Sequence, residues 1–138
     1  MVAHWGEQLT QHEEARAVRT ILIVDDEKEW VQMLGMRLAH EGYRIEVAFD
    51  ALQAMSRAVQ LRPQLILLDL MMPGGGGFVA LHNIRENAKV FGVPVIVVSA
   101  KGDQDSKDSA ARLGVSGFFV KPLNMRKFVK RVEQVLRD

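Results

Sequence analysis

The chain contains no cysteine, which excludes disulfides, thiolate zinc sites and cysteine nucleophiles. It carries no surplus of either charge: Lys+Arg 18 against Asp+Glu 17 leaves +1, too little to advertise nucleic acid or an anionic membrane. No apolar run approaches the ~18–20 residues that span a bilayer. The opening stretch MVAHWGEQLTQHEEARAVR lacks a basic region followed by an apolar one, so it does not read as a signal peptide and the expected location is the cytoplasm. Internal repeats, heptad seams and long low-complexity tracts are also missing. What remains is 138 residues, 48% hydrophobic and 25% charged. That is the balance of one globular domain able to bury a core without staples.

Five short apolar runs stand out: Thr20–Val24, Arg44–Phe49, Gln64–Leu68, Val93–Val98 and Gly117–Val120. Four are nearly all apolar, as strands covered on both faces are, while Arg44–Phe49 alternates as an edge strand does. Helical patterns lie between them. Asp26–His40 spaces Trp30, Met33, Leu34 and Leu38 on one face, and Asp50 with Gln53 opens Ala51–Leu61 as a capping-box variant. Phe78, Leu81 and Ile84 mark a third helix, Asp103–Leu113 a weakly anchored fourth, and Met125 to Leu136 a strongly amphipathic fifth. Gly42, Pro63, Gly92 and Gly114 fall where a helix should stop before the next strand. This strict alternation predicts an α/β fold over Thr20–Asp138: a single five-stranded parallel sheet, doubly wound, with five helices on its two faces.

In such sheets ligands bind beyond the carboxyl ends of the strands, where the strand order reverses. The first run ends in Asp25-Asp26, the third in Asp69, the fourth in Ser99 and the fifth in Lys121. Each has an unremarkable alternative. Asp26 with Glu29 would make a capping box, Asp25 and Asp69 would open turns, Ser99 would be a loop hydroxyl and Lys121 a solvated ammonium. Jointly those alternatives fare poorly, because independent decoration would not load one sheet edge with complementary charges. Two unit charges ~4 Å apart repel by about 1 kcal/mol in water and about 4 kcal/mol at an effective dielectric near 20. Three crowded carboxylates therefore raise a pKa or recruit a cation. Oxygen-only donors, with His4, His12, His40 and His82 away from these strand ends, favour Mg²⁺ over Mn²⁺ or Ca²⁺.

These residues resemble a response-regulator receiver domain, the phospho-acceptor module of two-component signalling. The matching elements are the acidic pair in ILIVDDE, the aspartate in LILLDLMMPG, the hydroxyl in VIVVSA and the lysine in FFVKPL. The resemblance covers residues 20–138 and leaves 1–19 as an N-terminal extension or linker, in which Gln11–Val18 has the composition of an added helix. It implies a flavodoxin-like strand order 2-1-3-4-5. It implies Asp69 as phospho-acceptor, and Mg²⁺ (Mn²⁺ as a substitute) held by Asp25, Asp26, Asp69 and the main-chain carbonyl of Met71. Lys121 and Ser99 would then hold the phosphoryl group, with a cis bond between Lys121 and Pro122.

The resemblance further implies a conformational output in which Ser99 and Phe118, the switch pair, reshape the surface of the fourth helix, fifth strand and fifth helix. The phosphodonor would be a histidine kinase or histidine phosphotransfer protein. The target would be a downstream protein or a second copy in a homodimer, with no direct contact to nucleic acid or membrane. Such a module is not an enzyme beyond its own phosphorylation and slow autodephosphorylation. The chain ends about where the last helix should, as in a stand-alone receiver or a piece of a longer regulator.

Several features depart from the family pattern. Gly74–Gly77 is a run of glycines that predicts a loose loop beside the site. Met71 and Lys101 stand at the positions that tune dephosphorylation. Arg126, Lys127, Lys130, Arg131 and Arg137 make the last helix basic, as a solvated face or a partner surface is. Rival readings are a nucleotide-binding fingerprint at Gly75-x-Gly77-x-x-Ala80, displaced from its strand by Leu70–Pro73; an aspartyl-phosphate phosphohydrolase, which would need an aspartate where Met71 stands; and a phosphorylation-independent interaction module of the same fold.

Overall fold

A computed structural model describes residues 18–137; the extension expected over 1–19 and its helix at Gln11–Val18 lie, for 1–17, outside the described residues. The apolar runs become five strands: β1 (Thr20–Val24), β2 (Arg44–Ala48), β3 (Leu65–Leu68), β4 (Val95–Ser99) and β5 (Gly117–Val120). Between and after them come α1 (Lys28–His40), α2 (Ala51–Leu61), α3 (Gly76–Glu86), α4 (Gln104–Arg112) and α5 (Met125–Leu136), with a 3₁₀ turn at Pro73–Gly75 ahead of α3. All pairings are parallel and the order is β2-β1-β3-β4-β5, the expected flavodoxin-like arrangement.

Strand alternation splits the core into two layers. Leu22, Val24, Ile66, Leu68, Val95 and Val97 pack with Ala54 and Ala58 of α2, Ala80, Leu81 and Ile84 of α3, and Ala110 of α4. Ile21, Ile23, Leu65, Leu67, Ile96 and Val98 pack on the opposite face with Val31, Leu34 and Leu38 of α1 and Phe128, Val129 and Val132 of α5. Because both faces are covered, β1 residues Ile21–Val24 and all of β3 are at most 1% exposed. β5 differs from the expectation for an all-apolar run: Phe118 and Phe119 are half-buried and Val120 is exposed, because β5 is an edge strand with one neighbour.

The boundaries that shift do so for local hydrogen-bonding reasons. Phe49 leaves β2 because its N–H donates to Gln53 Oε1 at 2.9 Å, while Asp50 Oδ1 accepts from Gln53 N–H at 2.7 Å. That reciprocal pair is the predicted cap of α2. β4 begins after Pro94, which has no N–H for the ladder, although its carbonyl still accepts from Ile66. The helix predicted from Asp26 starts at Lys28. Glu27 is its N-cap residue and makes no side-chain cap bond, so the Asp26–Glu29 capping box is not formed.

Two arginines brace the strand connections. Arg85, near the end of α3, donates to the carbonyls of Leu113, Phe91, Val93 and Gly114 at 2.7–3.3 Å. Arg131 is not simply part of a solvated basic face: it is half-buried and donates to the Ser116 carbonyl at 2.8 Å. The four-glycine run, expected as a loop, divides between the 3₁₀ turn and the start of α3. Gly74 and Gly75 turn through φ of 72° and 71°, which favours glycine. Gly76 and Gly77 then form the first turn of α3.

Candidate functional site

β1 and β3 lie side by side with Val24 opposite Leu68, so the next residues, Asp25 and Asp69, leave the sheet together. The ladder continues one step beyond the strands: Asp69 N–H donates to Val24 O at 2.9 Å, and Asp25 N–H to Ala48 O at 3.1 Å. Alternation then sorts the site residues by face. Asp25, Asp69 and Lys121 continue the rows of Ile23, Leu67 and Phe119, on the side covered by α1 and α5. Ser99 and Phe118 belong to the opposite side, where Phe118 packs with the layer under α2, α3 and α4.

The residues Asp25 and Asp69 are 2% and 4% exposed, and the carboxylate of each is locked by a turn. Asp25 Oδ1 accepts from Glu27 N–H and Asp69 Oδ1 from Met71 N–H, both at 2.9 Å. Their other oxygens face Lys121, whose Nζ lies 2.7 Å from Asp25 Oδ2 and 3.7 Å from Asp69 Oδ2. Glu27 Oε1 approaches the same ammonium at 3.0 Å, and the Trp30 ring centroid lies 4.8 Å from it. Asp25, Glu27 and Asp69 each place a carboxylate oxygen within 4.8 Å of the others. Asp26 is exposed and outside that close set, yet its charge reaches Asp69.

Ser99 is fully buried. Its Oγ accepts from Lys101 N–H at 3.3 Å, leaving its own O–H to donate, and its carbonyl accepts from Lys121 N–H at 2.8 Å. The Lys121–Pro122 peptide bond is cis. Met71 is 48% exposed beside the acceptor. Close by, a Cβ added to Gly77 would fall inside van der Waals contact with Leu70 Cα and the Asp69 carbonyl oxygen. Only glycine lets α3 seat this closely against the Asp69 loop.

Burial pushes the Asp69 carboxyl above its ordinary value; the Met71 N–H opposes this, Asp25 adds to it, Lys121 opposes it and Asp26 adds again. Burial works to lower the Lys121 ammonium, but its hydrogen bonds to Asp25 and Glu27, with the charges of Asp25 and Asp69, hold it above the usual lysine value. Four carboxylates against one ammonium leave the edge negative, and the donors are all oxygen. That set suits a hard divalent cation such as Mg²⁺. Sequence reasoning passed over Glu27 and Trp30. Neither carries a sequence signal for this contact: Glu27 follows the acidic pair as one more charge, and Trp30 reads as one position of a helical stripe.

Residues 21–133 match the family model for the response regulator receiver domain, and the chain belongs to that family, the receiver domains of two-component systems. It is 35% identical over 119 residues to the phosphate regulon transcriptional regulatory protein PhoB of Pseudomonas aeruginosa, covering 86% of this chain and 52% of that protein. It is 37% identical over 117 residues to the transcriptional regulatory protein ResD of Bacillus subtilis, covering 85% and 48%. The chain thus spans about half the length of these curated relatives. Among solved structures it is similar to the chemotaxis protein CheY4 of Vibrio cholerae, with TM-score 0.80 and 28% identity over 86% of this chain and 99% of that one. The non-phosphorylated HemR receiver domain of Leptospira biflexa gives TM-score 0.79 and 28% identity over 87% and 95%. Among the described residues no helix is long and apolar enough to cross a membrane.

Proposed function

We infer that this receiver accepts a phosphoryl group on Asp69, in a Mg²⁺-dependent transfer from a histidine kinase or histidine phosphotransfer protein, and passes the change to its α4–β5–α5 surface. The observation that carries this reading is the convergence of buried Asp25 and Asp69 on Lys121, beside buried Ser99, at one sheet edge. An Asp69 carboxylate oxygen attacks phosphorus, the bond from phosphorus to the donor imidazole breaks, and its electron pair leaves with the imidazole. The product is an acyl phosphate on the chain itself, so no separate substrate is turned over.

Asp26 and Asp69 would hold Mg²⁺ directly, Asp25 directly or through water, and the Met71 carbonyl would add an oxygen; Mn²⁺ can take the same donors. When bound, the ion neutralises charge on the carboxylates and on the transferring phosphoryl oxygens. Lys121 pairs with a phosphoryl oxygen and the Ser99 O–H donates to another. Positioning and charge neutralisation are most of what such a transfer needs. Ser99 and Phe118 sit on the same side of adjacent strands β4 and β5, which supports their role as the switch pair. α4, with Ala110 as its one buried residue, has less packing to lose when it shifts than any other described α-helix.

The test is a set of ¹H–¹⁵N spectra without metal, with Mg²⁺, and with Mg²⁺ plus beryllofluoride as a phosphoryl mimic. Mg²⁺ alone should move the amides of Asp25 to Glu27 and Asp69 to Met71. The mimic should extend the changes to Ser99, Phe118 and residues of α4 and α5. Changes confined to the metal site would contradict the proposed output, and no response to Mg²⁺ would contradict the metal reading.

A further inference from the structure

The phosphoryl group gives Lys121 a partner only after it has arrived, and in the resting protein the side chain is held by other groups. Its Nζ donates to Asp25 at 2.7 Å and to Glu27 at 3.0 Å, while the nearest Asp69 oxygen, at 3.7 Å, is beyond hydrogen-bond distance. Two of its three N–H donors are therefore engaged by the β1–α1 connection rather than by the acceptor. The Trp30 ring lies 4.8 Å from the same nitrogen, inside the ~6 Å range of a cation–π contact.

Glu27 and Trp30 are three residues apart at the start of α1 and so occupy one face of its first turn. Glu27 makes no cap bond. Trp30 packs its body against the α1/α5 core layer and keeps its ring beside the ammonium. Glu27 is 64% exposed whereas the Lys121 side chain is 11% exposed. The carboxylate contact is therefore open to solvent exchange and screening, and the half-buried indole is the more durable wall.

We propose that Trp30 is a positioning residue for phosphoryl acceptance: with Glu27 it forms a cradle on α1 that holds Lys121 at rest and must release it before the ammonium can pair with a phosphoryl group on Asp69. The proposal rests on the acceptor reading given above. An interaction made in the resting state and lost in the transition state slows the step it precedes. Removing the indole face should therefore speed acceptance, by about two- to fivefold for a cation–π contact at a partly exposed site.

Trp30→Leu keeps apolar bulk without a π face, and Trp30→Phe keeps a weaker face. In the first measurement, with no phosphodonor present, the Lys121 Hε and Cε resonances should carry a ring-current shift in the wild type. That shift should be smaller in Trp30→Phe and gone in Trp30→Leu, and in the wild type it should disappear on adding Mg²⁺ with beryllofluoride. In the second, phosphoryl gain from acetyl phosphate with Mg²⁺, followed by intact mass, should be about two- to fivefold faster in Trp30→Leu and intermediate in Trp30→Phe. A purely structural tryptophan would lower the melting temperature while leaving both the Lys121 resonances and the direction of the rate change unexplained. Lys121 resonances unchanged by Trp30→Leu, or a folded Trp30→Leu protein that gains phosphate no faster than wild type, would overturn the cradle. A wild type that gains no phosphate would overturn the acceptor reading and the proposal with it. The resonances, which need no phosphodonor, separate that outcome from failure of the cradle alone.

Discussion

The Lys121 ammonium is closer to Asp25 than to Asp69, 2.7 Å against 3.7 Å, although Asp69 is the proposed acceptor. The resting site is thus organised around the Asp25–Lys121 pair, with Asp69 buried beside it and incompletely compensated.

Lys121→Met keeps most of the side-chain stem and removes the charge. It leaves two nearly buried carboxylates without their cation, so unfolding in metal-free buffer should show a loss of about 3 kcal/mol. Mg²⁺ should restore part of that stability and bind more tightly than to wild type, because the competing ammonium is gone. Calorimetric titration with Mg²⁺ and denaturant melts of both proteins check this.

The raised Asp69 value fixes the sign of the acid limb. The folded carboxyl keeps its proton to higher pH than the unfolded one, which releases it near 3.8. Stability in metal-free buffer should therefore fall as pH rises from that value through the raised folded one, then level off. Asp69→Asn should abolish this fall and be the more stable protein at neutral pH. At the alkaline end, Lys121 contributes stability that is complete below its ordinary 10.5 and lost as pH rises through its raised folded value. Tyr43, raised by burial and then by Glu133 and Glu41, adds a fall of the same sign above 10.0. Comparing Lys121→Met and Tyr43→Phe in pH-dependent melts separates the two.

Neighbouring glycines should respond in opposite ways. A methyl on Gly77 meets the Leu70 and Asp69 backbone, whereas one on Gly76 meets only Met72 and Ala51 side-chain atoms at 3.7–3.8 Å. Gly77→Ala should lose about 2 kcal/mol and, by moving the acceptor loop, slow phosphoryl gain. Gly76→Ala should be neutral to about 0.5 kcal/mol stabilising, since its backbone is already helical.

Arg85 binds carbonyls from both the α3–β4 and α4–β5 connections, and burial lowers its guanidinium below the usual value. Arg85→Ala should lose about 2 kcal/mol. Arg85→Lys should recover less than half, because a single ammonium cannot span acceptors arranged for a planar fork. Denaturant unfolding at constant slope is the measurement.

Much of this architecture is legible in the sequence for a simple reason: parallel strands buried on both faces read as apolar runs, and those runs deliver Asp25, Asp69, Ser99 and Lys121 to one edge. The strand ends are less legible, because side chains such as Gln53 and missing donors such as that of Pro94 decide where a ladder stops. The basic stripe of α5 reads as solvated, yet Arg131 reaches the Ser116 carbonyl, a contact set by tertiary distance rather than periodicity. Glu27 and Trp30 escape for the same reason: helical spacing reports which face a residue occupies, and not that Lys121 of β5 arrives there.

The central claim is that Asp69 accepts the phosphoryl group and that a divalent metal is needed. Intact mass after incubation with acetyl phosphate, for wild type with Mg²⁺, wild type with EDTA and Asp69→Asn with Mg²⁺, tests it most directly. One base-labile phosphoryl group on the first sample alone is the predicted result. Equal gain by Asp69→Asn would contradict the assignment of the acceptor, and no gain by any sample would contradict the phospho-acceptor account and favour a phosphorylation-independent module.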